Sequence, residues 1–522
     1  MEAVGARRWW ALVALGLSGW VIGLDLTVLN VALPTLSVDL HASTGDLQWF
    51  ANAYNLVLAA VLVPAGLLGD RYGRKRMLLG SLLVFGAASV ACAFSGSVGE
   101  LIGARAFLGL GAAFVIPMCM AVLPVLFPDP VERQRAFSTW ILANALGIPL
   151  GPIVGGLLLD NYWWGSVFLI NVPVIVLALV AVILLLPESR SSQRPSIDLV
   201  GVLLSSVGLV GVSYGVVHGG QEGWTTTLTL SSLILGVLAL LAFVAWERRV
   251  SGRSTPLVDF ALFRAPGFTW GAILAMVVSF AMFGLIFLMP QYFQAVGGAD
   301  ALGTGLRLLP LIGGLLVGSR VADRLVPRAG ARLVSASGFV LVAASFLVGA
   351  TTDAASGYGF VAVWFTVAGV GMGFTLPVTM GVALGALTAE RSGVGSAVLQ
   401  ALRQVGGVVG VSVLGAVVNG AYQGRLTGPW PDAALGTARR GVSAGLAVAR
   451  QLHSTELTQV VRDAFMHSLA VMLIVSAAIA FAGAVLSAAF LPGRATGRPV
   501  GDGPSVEGPE PQDAQSTQDL LL

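Results

Sequence analysis

Fourteen long apolar stretches follow one another along this 522-residue chain, separated by polar connections. A run of about twenty apolar residues can cross a hydrocarbon core about 30 Å thick as a helix. We therefore predict an all-α integral membrane protein with fourteen spans. The predicted spans cover residues 9–33, 46–69, 76–96, 98–124, 137–160, 165–187, 197–218, 227–247, 268–293, 302–323, 332–351, 359–382, 396–419 and 466–491.

Positive charge is concentrated in every second connection. Of the 29 Lys and Arg residues, 21 lie at the chain ends or in alternate loops, and the short loops between those contain none. Because cationic residues favour the cytoplasmic side of a membrane, we expect both termini in the cytoplasm. The connection at 420–465 has five Arg and is predicted to lie outside; its length allows this exception.

Composition excludes several classes of protein. With 56% hydrophobic and 11% charged residues, the chain has too little polar surface for a soluble globule. Its basic clusters are short and adjoin helix ends, so we expect no nucleic-acid partner. Cys92 and Cys119 lie inside spans, and no disulfide framework or metal-ligand set follows from them. No nucleophile-and-base motif indicates an enzyme.

The chain contains an internal repeat. Gly109, Gly111, Phe114 and Pro117 recur, shifted by 260 positions, at Gly369, Gly371, Phe374 and Pro377. Two related six-helix halves explain this, and the two remaining helices lie between them. The predicted divisions are a half at 1–187, a two-helix insert with cytoplasmic linkers at 188–264, a half at 265–491 with the long outer loop 420–465, and a disordered cytoplasmic tail at 492–522. We expect the inserted helices to be peripheral, and residues 443–465 could form an amphipathic surface helix.

Three ionisable residues lie well inside predicted spans, where they are costly and therefore indicate function. Asp25 is a candidate proton or cation site, because burial favours the neutral carboxyl whereas a nearby cation favours the carboxylate. A structural ion pair is the alternative. Arg105 could relay the state of that site or extend to the interface. Arg403 could form a polar cluster in a cavity with Gln400 and Gln404, which lie at helical spacing, or a structural hydrogen bond between helices.

Other side chains could line a cavity, although packing against lipid is the alternative for each aromatic residue. The candidate lining residues are Asn30, Tyr54, Trp140, Asn144, Phe283, Gln291, Gln400 and Arg403.

Two glycine-rich segments suggest moving parts. The cytoplasmic connection 66–76 combines glycines and cations with Asp70, which could hold neighbouring helices in one state. In the segment 147–156, glycines permit close helix packing and Pro152 bends the axis. A simple packing helix is the alternative. The residues concerned are Gly66, Asp70, Arg71, Gly73 and Arg74 in the first segment, and Gly147, Gly151, Pro152, Gly155 and Gly156 in the second.

Taken together, these motifs resemble the fourteen-span drug:proton antiporter family of the major facilitator superfamily. The stretch 24–34 is similar to the first-helix motif, 66–76 to the loop motif, 105–113 to the proton-coupling motif, and 147–156 to the antiporter motif. Leu108 departs from the coupling motif, which often has Gln there. The resemblance covers residues 9–491.

The resemblance implies proton binding at Asp25, coupling at Arg105 and gating by the 66–76 segment. It also implies alternating access, cationic amphipathic drugs as cargo, and no cofactor beyond the proton gradient as energy source. We expect a monomer in the lipid bilayer of a bacterial cytoplasmic membrane. The alternative cargo is a single neutral metabolite, amino acid or lipid, for example in self-resistance to an endogenous product.

Overall fold

The computed structural model describes residues 2–190, 198–250, 260–387 and 389–492. Its regular elements there are seventeen α-helices and one 3₁₀ helix, Phe260–Arg264. The α-helices are α1 (Glu2–Asp39), α2 (Thr44–Tyr72), α3 (Arg74–Ala93), α4 (Val98–Leu126), α5 (Pro130–Asn161), α6 (Ser166–Leu169), α7 (Asn171–Leu185), α8 (Leu199–Glu222), α9 (Thr227–Val250), α10 (Pro266–Ala295), α11 (Ala301–Ala329), α12 (Ala331–Gly349), α13 (Tyr358–Gly385), α14 (Ala389–Gln423), α15 (Asp432–Ala438), α16 (Val442–Gln451) and α17 (Thr455–Phe490).

Twelve segments of the described chain are long and apolar enough to cross a membrane, counting α6 and α7 together. The two parts of α2, Thr44–Leu62 and Pro64–Tyr72, add a thirteenth if they form one span. The 32-residue α5 also traverses the bundle, packed along α1. The predicted count of fourteen spans is compatible with these helices. The protein is thus a multi-pass membrane protein.

Polar caps begin several of these helices. Ser43 forms a capping box with Asp46 at the start of α2, and Asp129 and Asp300 accept from the backbones of α5 and α11. These caps satisfy amides that would otherwise lack partners. The apolar runs set the helix lengths, and the caps fix where they start.

The two halves pack alike. In the first, α1 lies along α5 and α4 contacts both α2 and α3; in the second, α10 lies along α14 and α13 contacts both α11 and α12. Across the halves, α5 packs on α11 and α14 packs on α2. The bundle therefore has a major-facilitator-type arrangement of two six-helix halves. The exact domain boundaries stay predictions, and residues 493–522 of the predicted tail lie outside the described residues.

The inserted helices are not equally peripheral. Helix α9 packs on α8, with Gly211 against Gly236, whereas α8 also contacts both halves. The rings of Trp49 on α2 and Tyr214 on α8 lie 6.0 Å apart. Asn419 Nδ2 on α14 donates to the Gly220 carbonyl at 2.7 Å. Helix α8 therefore spans the seam between α2 and α14.

The bundle has two faces. Both ends of the described chain lie on one face, which we call the terminal face; Asp39, at the end of α1, lies on the other, the opposite face. There the predicted amphipathic stretch 443–465 is broken: α16 ends at Gln451 and α17 begins at Thr455. The Thr44 amide donates to the Arg440 carbonyl at 2.7 Å, which joins this region to the first half.

Candidate functional site

Asp25 and Arg105 form a buried ion pair inside the first half. Arg105 Nη1 lies 2.8 Å from Asp25 Oδ2, and the two side chains are 2% and 0% exposed. Asp25 lies on α1 and Arg105 on α4, so the pair joins two helices that are distant in sequence. An ion pair between Asp25 and Arg105, which the sequence left open, is therefore present, and Arg105 does not extend to the interface. Proton binding at Asp25 stays a prediction.

Two further helices contact this pair directly, and a third is linked to it through Asn171. Asn171 Nδ2, at the start of α7, donates to Asp25 Oδ1 at 3.2 Å and contacts Ser89 Oγ on α3 at 3.4 Å. Arg105 Nε donates to the Phe50 carbonyl on α2 at 3.0 Å. The Arg105 guanidinium also lies 4.6 Å from the ring centroid of Tyr54. We call these residues the Asp25 cluster; they connect five of the helices of the first half.

The cluster joins helices through a pair of opposite charges in the interior of the bundle. In a low-dielectric interior, a buried ion pair is retained only while both charges are present and well hydrogen-bonded. Removal of either charge would leave the other buried without its counterion, which is strongly unfavourable. Tyr54, a predicted cavity residue, is instead fully buried under the guanidinium.

The 66–76 segment ties three helices together at the terminal face. Arg74 Nε and Nη2 donate to Asp70 Oδ1 at 3.0 and 2.7 Å, and Arg74 Nη1 donates to the Ala121 carbonyl on α4 at 3.0 Å. Gly73 has φ +111, and a Cβ there would lie 2.7 Å from Glu188 Oε1. Glycine is therefore required by conformation, and a side chain there would also displace the Glu188 carboxylate.

Glu188, just beyond α7, is a partner that the sequence analysis missed. Its Oε1 accepts from the Lys75 amide at 3.2 Å, and its Oε2 lies 3.6 Å from Arg76 Nε. Lys75 Nζ donates to the carbonyls of Ile183 and Leu186 at 2.8 and 2.7 Å. The sequence does contain a signal for this contact. Glu188 is a carboxylate directly after an apolar span, in a connection whose other charged residues are cationic.

The glycines of the 147–156 segment hold α5 directly against the helix that carries Asp25. A Cβ at Gly147 would lie 2.6 Å from the Trp20 carbonyl oxygen, and one at Gly151 would lie 2.8 Å from that of Leu24. Gly155 lies against Val28, whereas Gly156 faces Ala301 and Leu302 of α11. The segment therefore contacts both halves of the bundle.

The other predicted lining residues are dispersed. Trp140 is buried and donates Nε1 to the Leu15 carbonyl at 3.1 Å. Asn30, Asn144 and Gln291 donate to carbonyls one turn earlier in their own helices. Phe283 on α10 is half-buried and lies against Gly407 of α14. Arg403 and Gln400 do form a cluster, with Arg403 Nη1 donating to Gln400 Oε1 at 2.9 Å.

Polar contacts between the halves, among the described residues, lie towards the opposite face. Gln48 Nε2 donates to the Val411 carbonyl at 2.9 Å, and Asn52 Nδ2 donates to Ser412 Oγ at 2.9 Å. Gln294 Nε2 on α10 reaches the α1 carbonyl of Val31 at 3.0 Å. These contacts hold the halves together on that side.

Two packed six-helix halves, with a buried ion pair inside the first half, are the arrangement expected of a membrane transporter. The chain matches the sequence profile of the Major Facilitator Superfamily over residues 15–411. It therefore belongs to this family and is a secondary transporter rather than an enzyme.

Similar proteins support the same class. The chain is 32% identical over 494 residues to the tetracenomycin C resistance and export protein of Streptomyces glaucescens, covering 92% of this chain and 91% of that protein. It is 31% identical over 471 residues to the methyl viologen resistance protein SmvA of Salmonella typhimurium LT2, covering 88% and 93%.

Among solved structures, the fold is similar to an inward-facing, unoccupied bacterial homologue of the human lysosomal transporter Spinster. The TM-score is 0.65 at 16% identity, with 94% of this chain and 98% of that chain covered. At this identity, the likeness is one of fold alone.

Proposed function

We propose that this protein exports amphipathic drugs or antibiotics from a bacterial cytoplasm in exchange for protons. Family membership and similarity to two resistance proteins support export as the activity. Those relatives are named for different compounds and are about equally similar to this chain, which supports a broad cargo class. Cationic compounds are the expected preference.

The terminal face is proposed to be cytoplasmic. Arg7 and Arg8, the 71–76 cluster and Arg332 all lie there, and such cations favour the cytoplasmic side. The contacts at Gln48, Asn52 and Gln294 would then close the outer side.

In the proposed cycle the halves rock about a central cavity. When the cavity opens outward, Asp25 takes a proton, which weakens its contacts to Arg105 and Asn171 and lets α1, α4 and α7 shift. When the cavity opens inward, the proton leaves and the ion pair forms again. Each charge that crosses 100 mV supplies about 2.3 kcal/mol, so more than one proton per cationic cargo would aid export.

The buried Asp25–Arg105 pair is the observation that carries this proposal. The test uses inverted vesicles with an imposed proton gradient and radiolabelled methyl viologen as the dication. Asp25→Asn should abolish gradient-driven uptake, whereas Asp463→Asn, on an exposed part of α17, should not. Undiminished uptake by Asp25→Asn, with correctly folded protein, would remove the role assigned to Asp25.

One observation favours the second candidate, export of a neutral compound. The Asp25 carboxylate is already paired with Arg105 and is therefore poorly placed to attract a cation while the pair is intact. If the cargo is neutral, a panel of lipophilic cations will not compete with it for export. Competition by several cations would support the first candidate instead.

A further inference from the structure

Arg403 places an unpaired positive charge near the middle of the membrane. It lies fourteen positions after Ala389 in a helix of 35 residues, close to the midpoint of α14. A charge at that depth is costly and normally finds a counterion. The described residues provide none, because the four ion pairs among them do not include Arg403.

The hydrogen-bonding capacity of Arg403 is mostly unused. Among the described residues, its partners are Gln400 Oε1 at 2.9 Å and Met380 Sδ at 3.5 Å, and both contact Nη1. Its Nε is shielded from solvent and has no hydrogen-bond partner in the described part of the chain. A guanidinium carries five N–H donors and cannot lose its charge in a protein. The Nε–H donor and the positive charge of Arg403 are therefore available to an oxygen acceptor on a bound molecule.

The side chain opens to the interior of the bundle and not to lipid. From Gly395 to Asn419, no residue of α14 is exposed, so this helix is surrounded by others over that length. Arg403 itself is half-buried. Ala401 and Ala397, two and six positions earlier on α14, pack against the core of the first half. Arg403 therefore lies on a helix that contacts both halves, in the part of the bundle where an alternating-access cavity would form.

Two apolar side chains, Met380 and Phe283, lie at or near the guanidinium. Met380 contacts it from α13, and the ring of Phe283 lies against Gly407, one turn along α14. Methionine side chains adapt to differently shaped ligands. In a pocket lined by apolar side chains, a single fixed charge orients a mostly apolar molecule through one polar group of that molecule.

We propose that Arg403, held by Gln400, is a cargo-binding subsite for an anionic or strongly hydrogen-bond-accepting oxygen, such as a carboxylate or phenolate. This inference rests on the proposed export function and narrows its cargo class. Arginine binds a carboxylate through two parallel N–H donors, which lysine cannot reproduce. Compounds with such an oxygen bind here, whereas purely cationic compounds gain nothing from this subsite.

Equilibrium binding to the full-length protein in nanodiscs tests the subsite without any gradient. The probes are norfloxacin, its methyl ester and ethidium, which carry a carboxylate, an ester and a fixed cation respectively. Arg403→Gln should weaken norfloxacin binding at least tenfold, about 1.4 kcal/mol, and change the other two less than twofold. Arg403→Lys should give an intermediate loss. Arg462→Gln, on an exposed part of α17, is the matched control.

Three outcomes would overturn the proposal. The first is an equal loss for all three probes in Arg403→Gln, which indicates a structural role. The second is no loss for norfloxacin in that variant. The third is a wild-type protein that does not bind norfloxacin at least tenfold more tightly than its ester. Gradient-driven uptake by the same protein in vesicles is measured separately, so failure of transport with selective binding intact would reject the export function alone.

Discussion

The carboxylate of Asp160, at the end of α5, caps the start of α11 in the other half. Its Oδ2 accepts from the Leu302 amide at 3.1 Å, and its Oδ1 accepts from the Ala301 amide at 3.2 Å. A negative charge at a helix N-terminus is favourable because the amides there carry partial positive charge. This contact therefore stabilises the closed state of the opposite face.

Asp160→Asn should shift the protein towards opening of that face. Loss of a charge at a helix terminus costs about 0.3–1 kcal/mol, which corresponds to about a two- to fivefold change in population. Spin labels at Tyr162→Cys and Leu306→Cys, both exposed positions, report the distance between α5 and α11. In pulsed electron paramagnetic resonance, the fraction of molecules with the longer distance between the two labels should rise. Asp353→Asn, in an exposed loop of the same face, should leave the distribution unchanged, and an equal shift there would argue against the cap.

Gly147→Ala should destabilise the protein. The added methyl would lie 2.6 Å from the Trp20 carbonyl and 2.9 Å from the Leu24 amide nitrogen, so α1 and α5 must separate. Overpacking of this kind costs about 1–3 kcal/mol. Gly80→Ala on α3 is the matched control, because nothing lies within 4 Å of its added methyl. Thermal unfolding in detergent should show a lower midpoint for the first variant and not for the second. Equal midpoints would mean that the helices are not closely packed.

Sequence reasoning located the helices and the charges but not their partners. Asp25 and Arg105 stood out because each interrupts an apolar span, and the repeat at Gly109 and Gly369 indicated two halves. The pairing itself joins positions 80 residues apart, and no local periodicity encodes such a contact. Asn171 was missed for the same reason. A side-chain amide at the start of a span can cap a helix, face water or bond to another helix. Only the folded arrangement of α1, α3 and α7 shows that Asn171 bonds to Asp25 and Ser89.

The inserted helices show a different limit of the sequence. Because few ionisable residues lie within these helices, the sequence predicted that both are peripheral. This prediction describes α9 better than α8. The contact of α8 with both halves depends on Gly220 and Tyr214, whose residue types are common in any membrane helix. Composition alone therefore could not identify the seam that α8 covers.

Tyr54 should act through its ring and not through its hydroxyl. The ring lies under Arg105, and the hydroxyl oxygen is buried and has no hydrogen-bond partner among the residues that the structure describes. Tyr54→Phe keeps the ring and removes the unpaired hydroxyl, so stability should be unchanged or rise by up to about 1 kcal/mol. Tyr54→Leu removes the cation–π contact and should cost about 2 kcal/mol. Thermal unfolding midpoints of both variants check this, and a loss in Tyr54→Phe as large as that in Tyr54→Leu would show that the hydroxyl matters.

Asp70→Asn should impair transport more than folding. The Asp70–Arg74 pair is partly exposed, at 34% and 19%, and such i,i+4 pairs contribute only about 0.3–0.5 kcal/mol to stability. However, Asp70 orients Arg74, which also reaches the Ala121 carbonyl and so joins the loop to α4. If this connection forms and breaks during each cycle, the turnover rate should fall at least fivefold while the unfolding midpoint stays nearly constant.

The ion pair between Arg8 and Glu132 provides the matched control for Asp70→Asn. It lies on the same face with both side chains 32% exposed, and it lies outside the glycine-rich loop. Glu132→Gln should therefore leave turnover within twofold of the wild type in the same vesicle assay. If both variants slow export equally, the effect comes from the charge of the terminal face as a whole. If only Asp70→Asn slows export, the loop contact to α4 controls the rate, because the two substitutions remove the same charge.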